Sequence, residues 1–326
     1  MIRISSRRLA AALSALFCAG ALSLAAPAAA ENTKLRLAYL RADMMLPVLV
    51  ALDAGEYKRA GVDLEAIEAQ GGPAVVAALV SGAADLGYSG SIPPINARQN
   101  GIPIKIVLAL GHEKAPDMLL TGFVASKASG ITNLAGLKGH TMAINANGGL
   151  CELALRDHLA AAGMAWSDLR IVVLPFPQME AALQQGVIDS ACVINPFQAS
   201  IMNNPDIGAV RIAAGMLADL TKPGLSDVVY SSETYLAKHA NAVRAFAKVT
   251  AASRLRLLAD HAALAAAAQK YDGLTPAASE AVVLPVVRES SSVDLTEVQR
   301  LLDAMKRAGM LSSPVTAEDL TSDLGN

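Results

Sequence analysis

The sequence predicts an α/β fold of two similar lobes with a cleft between them, and two observations support this prediction. The order strand, helix, strand, helix, strand occurs twice along the chain, which is typical of parallel sheets covered by helices. The segments AALVSGAAD (77–85) and AALQQGVID (181–189) share the pattern A-A-L-x-x-G-x-x-D at the same point of both copies. That pattern arises easily by chance in an alanine-rich chain. The prediction therefore rests mainly on the five elements that occur in the same order in both copies.

The five elements of the first copy have ordinary start and stop signals. They are the strand KLRLAYL (34–40), the helix LPVLVALDAGEYKRAG (46–61), the strand VDLEAIEA (62–69), a helix from Pro73 to Gly82, and the strand AADLGYS (83–89). Proline suits the first helical turn, where its missing N–H would be unpaired anyway. Glycine suits the left-handed position that ends a helix.

The second copy repeats this order about a hundred residues later. Its elements are the strand HTMAINA (140–146), the helix GLCELALRDHLAAAG (149–163), the strand SDLRIVVL (167–174), a helix from Pro177 to Gly186, and the strand VIDSACVIN (187–195). Each copy therefore predicts one three-stranded core of a lobe.

The N-terminal segment 1–30 is predicted to be a cleaved secretory signal peptide. Arg3, Arg7 and Arg8 precede the apolar run 9–26, and Ala28 and Ala30 form a small-residue cleavage site. An uncleaved membrane anchor is the alternative, although the run lies near the lower limit for spanning. Cleavage would remove three of the 27 basic residues and none of the 29 acidic ones, so the formal net charge would change from −2 to −5. A mildly acidic chain without basic clusters is not expected to bind nucleic acid.

Two cysteines, Cys151 and Cys192, remain in the predicted mature chain. An even number of cysteines in an exported protein permits a disulfide, and two buried free thiols are the alternative. The sequence has no CxxC or histidine-cluster spacing, so neither a metal site nor a cofactor is predicted.

The predicted binding site lies where the strands of both lobes end. Ligands of open α/β sheets bind beyond the carboxyl ends of the strands. Each lobe contributes three strand-to-helix turns there, and helix N-termini attract anions. The glycines of these turns allow the backbone to approach a ligand closely.

Several segments resemble the periplasmic solute-binding proteins of ABC importers, in the branch that includes sulfonate, taurine, nitrate and thiamine-pyrimidine-precursor binders. They are AYLRADMMLPVLVALDAGEYKRAGVDLEAI, GGPAVVAALVSGAADLGYSG, ITNLAGLKGHTMAI and QMEAALQQGVIDSACVINPF. The resemblance covers nearly the whole predicted mature chain. It is specific for the branch and weak for the ligand.

The resemblance implies a type II periplasmic binding protein fold, with two lobes that close about a two-strand hinge. Lobe 1 would comprise 31–123 and 228–326, and lobe 2 would comprise 124–227. The chain would cross to lobe 2 near 119–131 and return near 226–239. The C-terminal helix TEVQRLLDAMKRAGML (296–311) would pack on lobe 1.

The resemblance also implies a function: a periplasmic monomer that binds a small solute and delivers it to a permease in the inner membrane, without catalysis. The predicted helix N-termini, Arg41 and the few aromatic residues favour a small organic anion, sulfonate- or carboxylate-like. A thiamine-pyrimidine-like heterocycle or nitrate is the alternative ligand, and an enzyme on the same fold is the alternative function. A hydrolase is disfavoured because the serine elbow G-x-S-x-G around Ser89 has Ser91 in place of its second glycine.

One turn departs from the pattern of the branch. An aromatic–acid–proline turn is common in the branch, whereas this chain has INPF, with Ile194 and Asn195 in the first two positions. This difference moves the expected ligand contact toward Phe197.

The candidate ligand-binding residues all lie in the strand-to-helix turns. They are Tyr39, Arg41, Met44, Gly71, Gly72, Ser89, Gly90, Ser91, Asn147, Gly148, Gly149, Asn195 and Phe197. Arg41 is predicted to form a bidentate contact with an acid, and the alternative is a solvated arginine that pairs with Asp43. His112 and Glu113, which follow the strand IPIKIVLAL, are expected to be exposed.

Overall fold

The computed structural model describes residues 32–113, 121–214, 217, 224–284, 293–322 and 324. The predicted signal peptide 1–30 lies outside the described residues. Within the described residues, no helix combines the length and the apolarity needed to cross a membrane.

The described residues form ten strands. They are β1 Thr33–Leu40, β2 Val62–Ala69, β3 Leu86–Gly90, β4 Ile104–Glu113, β5 Thr121–Ala125, β6 Thr141–Ile144, β7 Arg170–Val173, β8 Ser190–Ile194, β9 Val210–Ala214 and β10 Gly224–Ser232. The first sheet has the order β2-β1-β3-β10-β4, and the second has the order β7-β6-β8-β5-β9. In each sheet the first three strands are parallel. The fourth strand is antiparallel to both of its neighbours.

Helices cover both sheets. They are α1 Leu46–Asp53, α2 Glu56–Arg59, α3 Gly72–Val80, α4 Ile92–Gln99, α5 Leu150–Ala161, α6 Phe176–Gln184, α7 Phe197–Met202, α8 Glu233–Ala259, α9 His261–Ala267, α10 Pro276–Ser279, α11 Leu295–Arg307 and α12 Ala317–Leu320. A π-helical turn, Ala268–Asp272, follows α9. Leu37 and Leu86 are fully buried in the first sheet, as are Ile144 and Val193 in the second.

The predicted fold of two α/β lobes is confirmed. β1, β2 and β3 match β6, β7 and β8 in order and direction, and the antiparallel strands β10 and β5 occupy the same place in their sheets. We call each sheet with its helices a lobe. The predicted helix 46–61 is instead two helices, α1 and α2, because Gly55 between them has a left-handed φ of 68°.

Strand pairing puts the lobe boundaries a few residues away from those predicted. Thr121 already pairs with β8 in the second sheet, and Gly224 already pairs with β4 in the first. The chain therefore changes sheet between Glu113 and Thr121, an interval that overlaps the predicted 119–131, and changes back between Ala214 and Gly224, ahead of the predicted 226–239. Both predicted boundaries fall inside a strand, one in β5 and the other in β10. The lobe to which such a strand belongs is decided by its pairing across the sheet and not by its local sequence.

The two lobes are linked at the first crossing by a buried carboxylate. Glu113, at the end of β4, accepts hydrogen bonds from the Thr121 hydroxyl at the start of β5 and from the Leu217 N–H. The expectation that His112 and Glu113 are exposed is therefore wrong. β4 extends to Glu113, and α11 covers His112, whose Nε2 lies 2.8 Å from the Glu297 carboxylate.

The C-terminal helix α11 packs on the first lobe, as expected. Its face of Val298, Leu301, Leu302 and Met305 is fully buried, and it contacts β10. The periodicity of these apolar residues was sufficient to identify a helix face that packs against a core.

Candidate functional site

A cleft lies between the carboxyl ends of the parallel strands of the two lobes. It encloses about 630 Å³, including space open to solvent. The described residues that line it come from both lobes. They are Leu40, Ala42, Asp43, Met44, Gly72, Pro73, Gly90, Pro93, Thr121, Asn145, Ala146, Gly149, Leu150, Cys151, Phe176, Ile194, Asn195 and Asp227.

The two lobes approach each other closely at this cleft. A Cβ atom on Gly90 of the first lobe would lie 3.6 Å from the Leu150 Cβ of the second. The Asn96 side-chain amide on α4 donates a 2.7 Å hydrogen bond to the Gly148 carbonyl before α5. The structure is therefore a closed arrangement in which both lobes can contact one small molecule.

Four helices begin at the cleft. Gly72, Pro93, Leu150 and Phe176 lie in the first turns of α3, α4, α5 and α6, and each of them lines the cleft. None of these four helices has an N-cap side-chain hydrogen bond. The positive ends of their dipoles are therefore available to anionic groups of a ligand. Prolines in the first turns of α3, α4 and α6 lack N–H groups, so α5 offers the fullest set of first-turn N–H donors.

The charged residues among the described cleft lining are two acids, Asp43 and Asp227. Burial raises the pKa of Asp43 well above its usual value, and the neighbouring Asp272 raises it further, whereas the Asn195 side chain lowers it. Burial also raises the pKa of Asp227, although the Ser226 and Tyr88 hydroxyls, which donate to it at 2.6 and 3.1 Å, act in the opposite direction. Both acids that line the cleft therefore have a raised pKa, and burial is the largest cause for each.

Asp272, in the π-helical turn, is close enough to Asp43 to shift its pKa, and turns of this type are frequent at functional sites. Burial raises its pKa to about 7, although the Arg41 guanidinium and Asp43 act to lower it. Glu68 adds a smaller effect that raises it further.

Five of the candidate residues line the cleft: Met44, Gly72, Gly90, Gly149 and Asn195. Asn195 brings a buried side chain to the wall, and the three glycines bring backbone. Gly90 is the last residue of β3, and the other four follow β1, β2, β6 and β8, so all five lie at strand ends.

The two candidate serines, Ser89 and Ser91, do not line the cleft but bond within the first lobe. The Ser89 hydroxyl bonds to the Tyr230 hydroxyl at 3.0 Å and donates to the Gly90 carbonyl at 2.9 Å. The Ser91 hydroxyl donates to the Leu225 carbonyl at 2.7 Å. Both serines are fully buried and are absent from the described cleft lining. Their hydroxyls attach β3 and α4 to β10.

Arg41 and Phe197 line a smaller pocket beside the cleft. Arg41 does not pair with Asp43; its Nη2 donates to both Glu68 oxygens at 2.9 Å. Phe197 stacks on Phe176 with the ring centroids 5.5 Å apart, and Phe176 is the ring that lines the main cleft.

The remaining candidates lie near the cleft but outside its described lining. Tyr39 is half-buried, and burial raises its pKa. Asn147 is exposed. The Gly148 N–H donates to Glu152 at 2.7 Å, and a Cβ on Gly71 would lie 4.0 Å from Ala146.

Sequence reasoning missed five polar or aromatic residues of the wall: Asp43, Thr121, Asn145, Phe176 and Asp227. Phe176 and Asp43 lie in predicted turns, so their positions gave a usable signal. Thr121 and Asp227 lie in the two strands next to the crossings, and only the pairing of those strands brings them to the cleft.

The structure joins Cys151 and Cys192 in a disulfide. Cys151 is at the start of α5 and lines the cleft, and Cys192 is in the middle of β8. The bond therefore fixes the N-terminus of α5 to the central part of the second sheet. In the described part of the chain, no group of three or more His, Cys, Asp or Glu residues is arranged to hold a metal ion.

We expect the ligand-free protein to lose stability as the pH rises from 5 to 7.5, and Asp272→Asn to reduce this loss. A carboxyl whose pKa is raised in the folded state binds more protons there than in the unfolded chain, so its contribution decreases as the pH rises through the folded pKa of about 7. The slope contributed by one such group is at most about 1.4 kcal/mol per pH unit. Urea unfolding at pH 5 and at pH 7.5 measures this change in the free energy of unfolding.

Asp53→Asn is a suitable control for this measurement. Lys270 and Tyr271 lower the pKa of Asp53, so this group titrates below the tested range. Its replacement should leave the difference between pH 5 and 7.5 unchanged. An equal pH difference in wild type and in Asp272→Asn would contradict the assignment.

The comparisons with known proteins agree with the geometry. The NMT1-like family matches residues 28–270. An Escherichia coli (strain K12) protein, provisionally named an aliphatic sulfonates-binding protein, is 28% identical over 200 residues, which are 60% of each chain. The 4-amino-5-hydroxymethyl-2-methylpyrimidine phosphate synthase of Schizosaccharomyces pombe is 24% identical over 225 residues, 66% of this chain and 62% of that enzyme.

A solved structure shows the same fold. It is the alkanesulfonate-binding protein SsuA from Xanthomonas axonopodis pv. citri bound to MOPS, with a TM-score of 0.75 and 21% identity, covering 90% of this chain and all of that one. The curated relatives are each matched over about three fifths of their length. The resemblance to periplasmic solute-binding proteins, based on the turn segments, is confirmed at the level of fold and family. With more than half of its residues matched, the chain belongs to the NMT1-like family.

Proposed function

We propose that this chain is the periplasmic substrate-binding subunit of an ABC importer, which captures a small solute between its lobes and delivers it to a permease in the inner membrane. The main support is the cleft itself, which is lined from both lobes by strand ends and by four uncapped helix N-termini. Binding energy from contacts on both sides would stabilise the closed arrangement, which the permease would recognise.

The ligand in this proposal is a small organic acid, sulfonate- or carboxylate-like. The helix N-termini supply N–H groups and positive dipole ends for its acidic group. The family and the relative named for aliphatic sulfonates support the same class. The protein would act as a monomer without a cofactor.

We also infer that the chain is not an enzyme. The serine that suggested a hydrolase, Ser89, is fully buried, and its hydroxyl is engaged with Tyr230 and the Gly90 carbonyl. Cys151 and Cys192 are joined to each other, so neither offers a reactive thiol.

A thermal-shift screen of the mature chain against sulfonates, carboxylates, nitrate and pyrimidines tests the proposal. We expect at least one acid to raise the Tm in a concentration-dependent way, because a ligand that binds only the folded state stabilises it by mass action. Small-angle scattering with the best acid should show a closed, more compact particle. Binding restricted to neutral or cationic compounds that carry no acidic group would contradict the ligand class.

Replacing Arg41 by Ala is expected to lower the affinity for the best acid of that screen less than about threefold. Arg41 is occupied by Glu68, and partly exposed ion pairs of this kind contribute little. Isothermal titration provides the measurement. Arg36→Ala, which breaks an ion pair with Asp85 in the middle of β1, is the matched control. A loss above about tenfold in Arg41→Ala alone would mean that Arg41 exchanges Glu68 for the ligand.

A further inference from the structure

A side-chain hydrogen bond connects the two lobes beside the cleft. The Asn96 Nδ2, on α4 of the first lobe, donates to the Gly148 carbonyl of the second lobe at 2.7 Å. Both residues are half-buried, and neither belongs to the described lining of the cleft, although Gly149 does. Because its two partners belong to different lobes, this bond must break when the lobes move apart.

The Asn96 amide is oriented from within the first lobe. Its Oδ1 accepts a hydrogen bond from the Gln99 Nε2 at 2.8 Å. Gln99 is in turn held by the segment after α11, since its Oε1 accepts the Ser312 N–H at 2.9 Å and its Nε2 donates to the Met310 carbonyl at 3.2 Å. A backbone N–H can only donate and a backbone carbonyl can only accept, so these contacts allow Gln99 one orientation. Asn96 therefore turns its Oδ1 to Gln99 and its Nδ2 to Gly148.

The accepting loop is held from within the second lobe. The Gly148 N–H donates to the Glu152 Oε2 at 2.7 Å, and the Glu152 Oε1 accepts from the Arg156 Nε at 2.8 Å. The Arg156 guanidinium lies 4.3 Å from the centre of the Trp166 ring. Gly148 has a left-handed φ of 66°, and a Cβ there would lie 2.7 Å from the Asn96 Nδ2. Glycine at this position therefore lets the two lobes approach to hydrogen-bond distance.

Both partners of the bond are thus oriented by their own lobes. A hydrogen bond between groups that are already held in place loses little conformational entropy when it forms. The net contribution of one such bond corresponds to about a three- to tenfold change in an equilibrium constant. Since Asn96 and Gln99 lie outside the described cleft lining, this contribution acts on closure of the lobes.

We propose that Asn96 and Gln99 form a latch that stabilises the closed arrangement through the Gly148 carbonyl and so strengthens solute binding. This inference rests on the proposed function and adds to it the residues that control closure. Asn96 is the donor between the lobes, and Gln99 is a positioning residue that acts through Asn96. Met310 and Ser312 fix Gln99, so the C-terminal part of the chain supports closure.

Two substitutions of Asn96 test the latch by isothermal titration. The probes are propanesulfonate and butyrate, or, where neither binds, the acid that raises the Tm most in the screen. We expect Asn96→Ala to lower the affinity about three- to tenfold, because the closed state loses one hydrogen bond. Asn96→Asp should lower it at least as much, because a carboxylate of nearly the same shape places an acceptor against the Gly148 carbonyl.

Two substitutions of Gln99 distinguish a positioning role from simple loss of packing. In Gln99→Glu, Asn96 should turn its Nδ2 toward the new carboxylate and its Oδ1 toward the Gly148 carbonyl, so we expect the affinity to fall at least about threefold. Gln99→Ala removes more contacts but does not reverse the Asn96 amide, so it should lower the affinity less than Gln99→Glu. A residue that only supports the fold would give the opposite order.

Asn100→Ala is the matched control. The Asn100 side-chain amide donates to the Asn96 carbonyl at 2.7 Å, so this variant loses an amide hydrogen bond that lies within the first lobe. Its affinity should stay within about twofold of wild type. Small-angle scattering of the solute-free proteins should give a larger radius of gyration for Asn96→Asp than for wild type and Asn100→Ala.

The outcomes separate the latch from the proposed function. Affinities of Asn96→Asp and Gln99→Glu that both stay within about twofold of wild type would overturn the latch and leave the proposed function standing. If no acid of the screen binds to wild type, the proposed function fails and scattering decides the latch. A larger radius of gyration for Asn96→Asp would then support it, and radii equal to those of wild type and Asn100→Ala would overturn it as well.

Discussion

Replacing Cys151 and Cys192 together by Ala is expected to lower the free energy of unfolding by about 4 kcal/mol. The two cysteines are 41 residues apart, and in the chain-entropy account a cross-link over this separation removes about 13 cal/mol/K from the unfolded chain. Both side chains are at most 2% exposed, so Ala also leaves small cavities that add to the loss. Urea unfolding followed by circular dichroism measures the difference.

Reduced wild type is the matched control, because it lacks the cross-link but keeps both side chains. Its free energy of unfolding should lie between those of the oxidised protein and the double variant. The variant is also expected to bind solute more weakly, because the bond holds the start of α5, where Cys151 and Leu150 line the cleft. Unfolding free energies of the oxidised protein and the double variant that agree within about 1 kcal/mol would contradict the stabilising role.

The repeated order of elements could be predicted because its signals are local. Pro73 and Pro177 lie in the first turns of α3 and α6, and Gly82 and Gly186 have left-handed φ angles just after these helices. The rule that strands of a parallel sheet end at one edge then identified the turns that form the cleft. Gly72, Gly90 and Gly149 line this cleft.

The directions of side chains could not be predicted from the same signals. Ser89 and Ser91 lie in the correct turn, but their hydroxyls bond to Tyr230 and to the Leu225 carbonyl of β10, a strand that enters the sheet more than 130 residues later. Arg41 lies at the end of β1, but Glu68 at the end of β2 holds it, because Tyr39 and Glu68 are paired in the parallel register.

The burial of Asp43 depends even more on tertiary structure. Nothing near Asp43 in the sequence indicates that its carboxyl group is buried, because Asp272 lies 229 positions away and Asn195 belongs to the other lobe. Asp43 was considered only as a partner for Arg41. A buried carboxyl beside a second one is visible only when the distant segments are assembled.

Replacing Gly90 by Phe is expected to lower solute affinity by at least about 100-fold, which corresponds to about 2.7 kcal/mol, while the protein remains folded. Gly90 ends β3 and lines the cleft opposite Leu150 of α5. A Cβ atom there would lie 3.6 Å from the Leu150 Cβ and from the Ser226 carbonyl oxygen, so the methyl group of Ala fits but a phenyl ring must occupy the cleft. The ring would exclude the solute and hold the lobes apart.

Two glycine variants separate this effect from general damage. Gly90→Ala should bind within about threefold of wild type, because its Cβ is at ordinary contact distance. Gly87→Ala, three residues earlier in the same strand, places its Cβ within 2.8 Å of Leu79, Tyr230 and Val75, so it should lower the Tm through the core. Isothermal titration and small-angle scattering with the best acid of the screen measure affinity and closure. If Gly90→Phe bound that acid within about tenfold of wild type and closed normally, the solute would have to lie elsewhere than between Gly90 and Leu150.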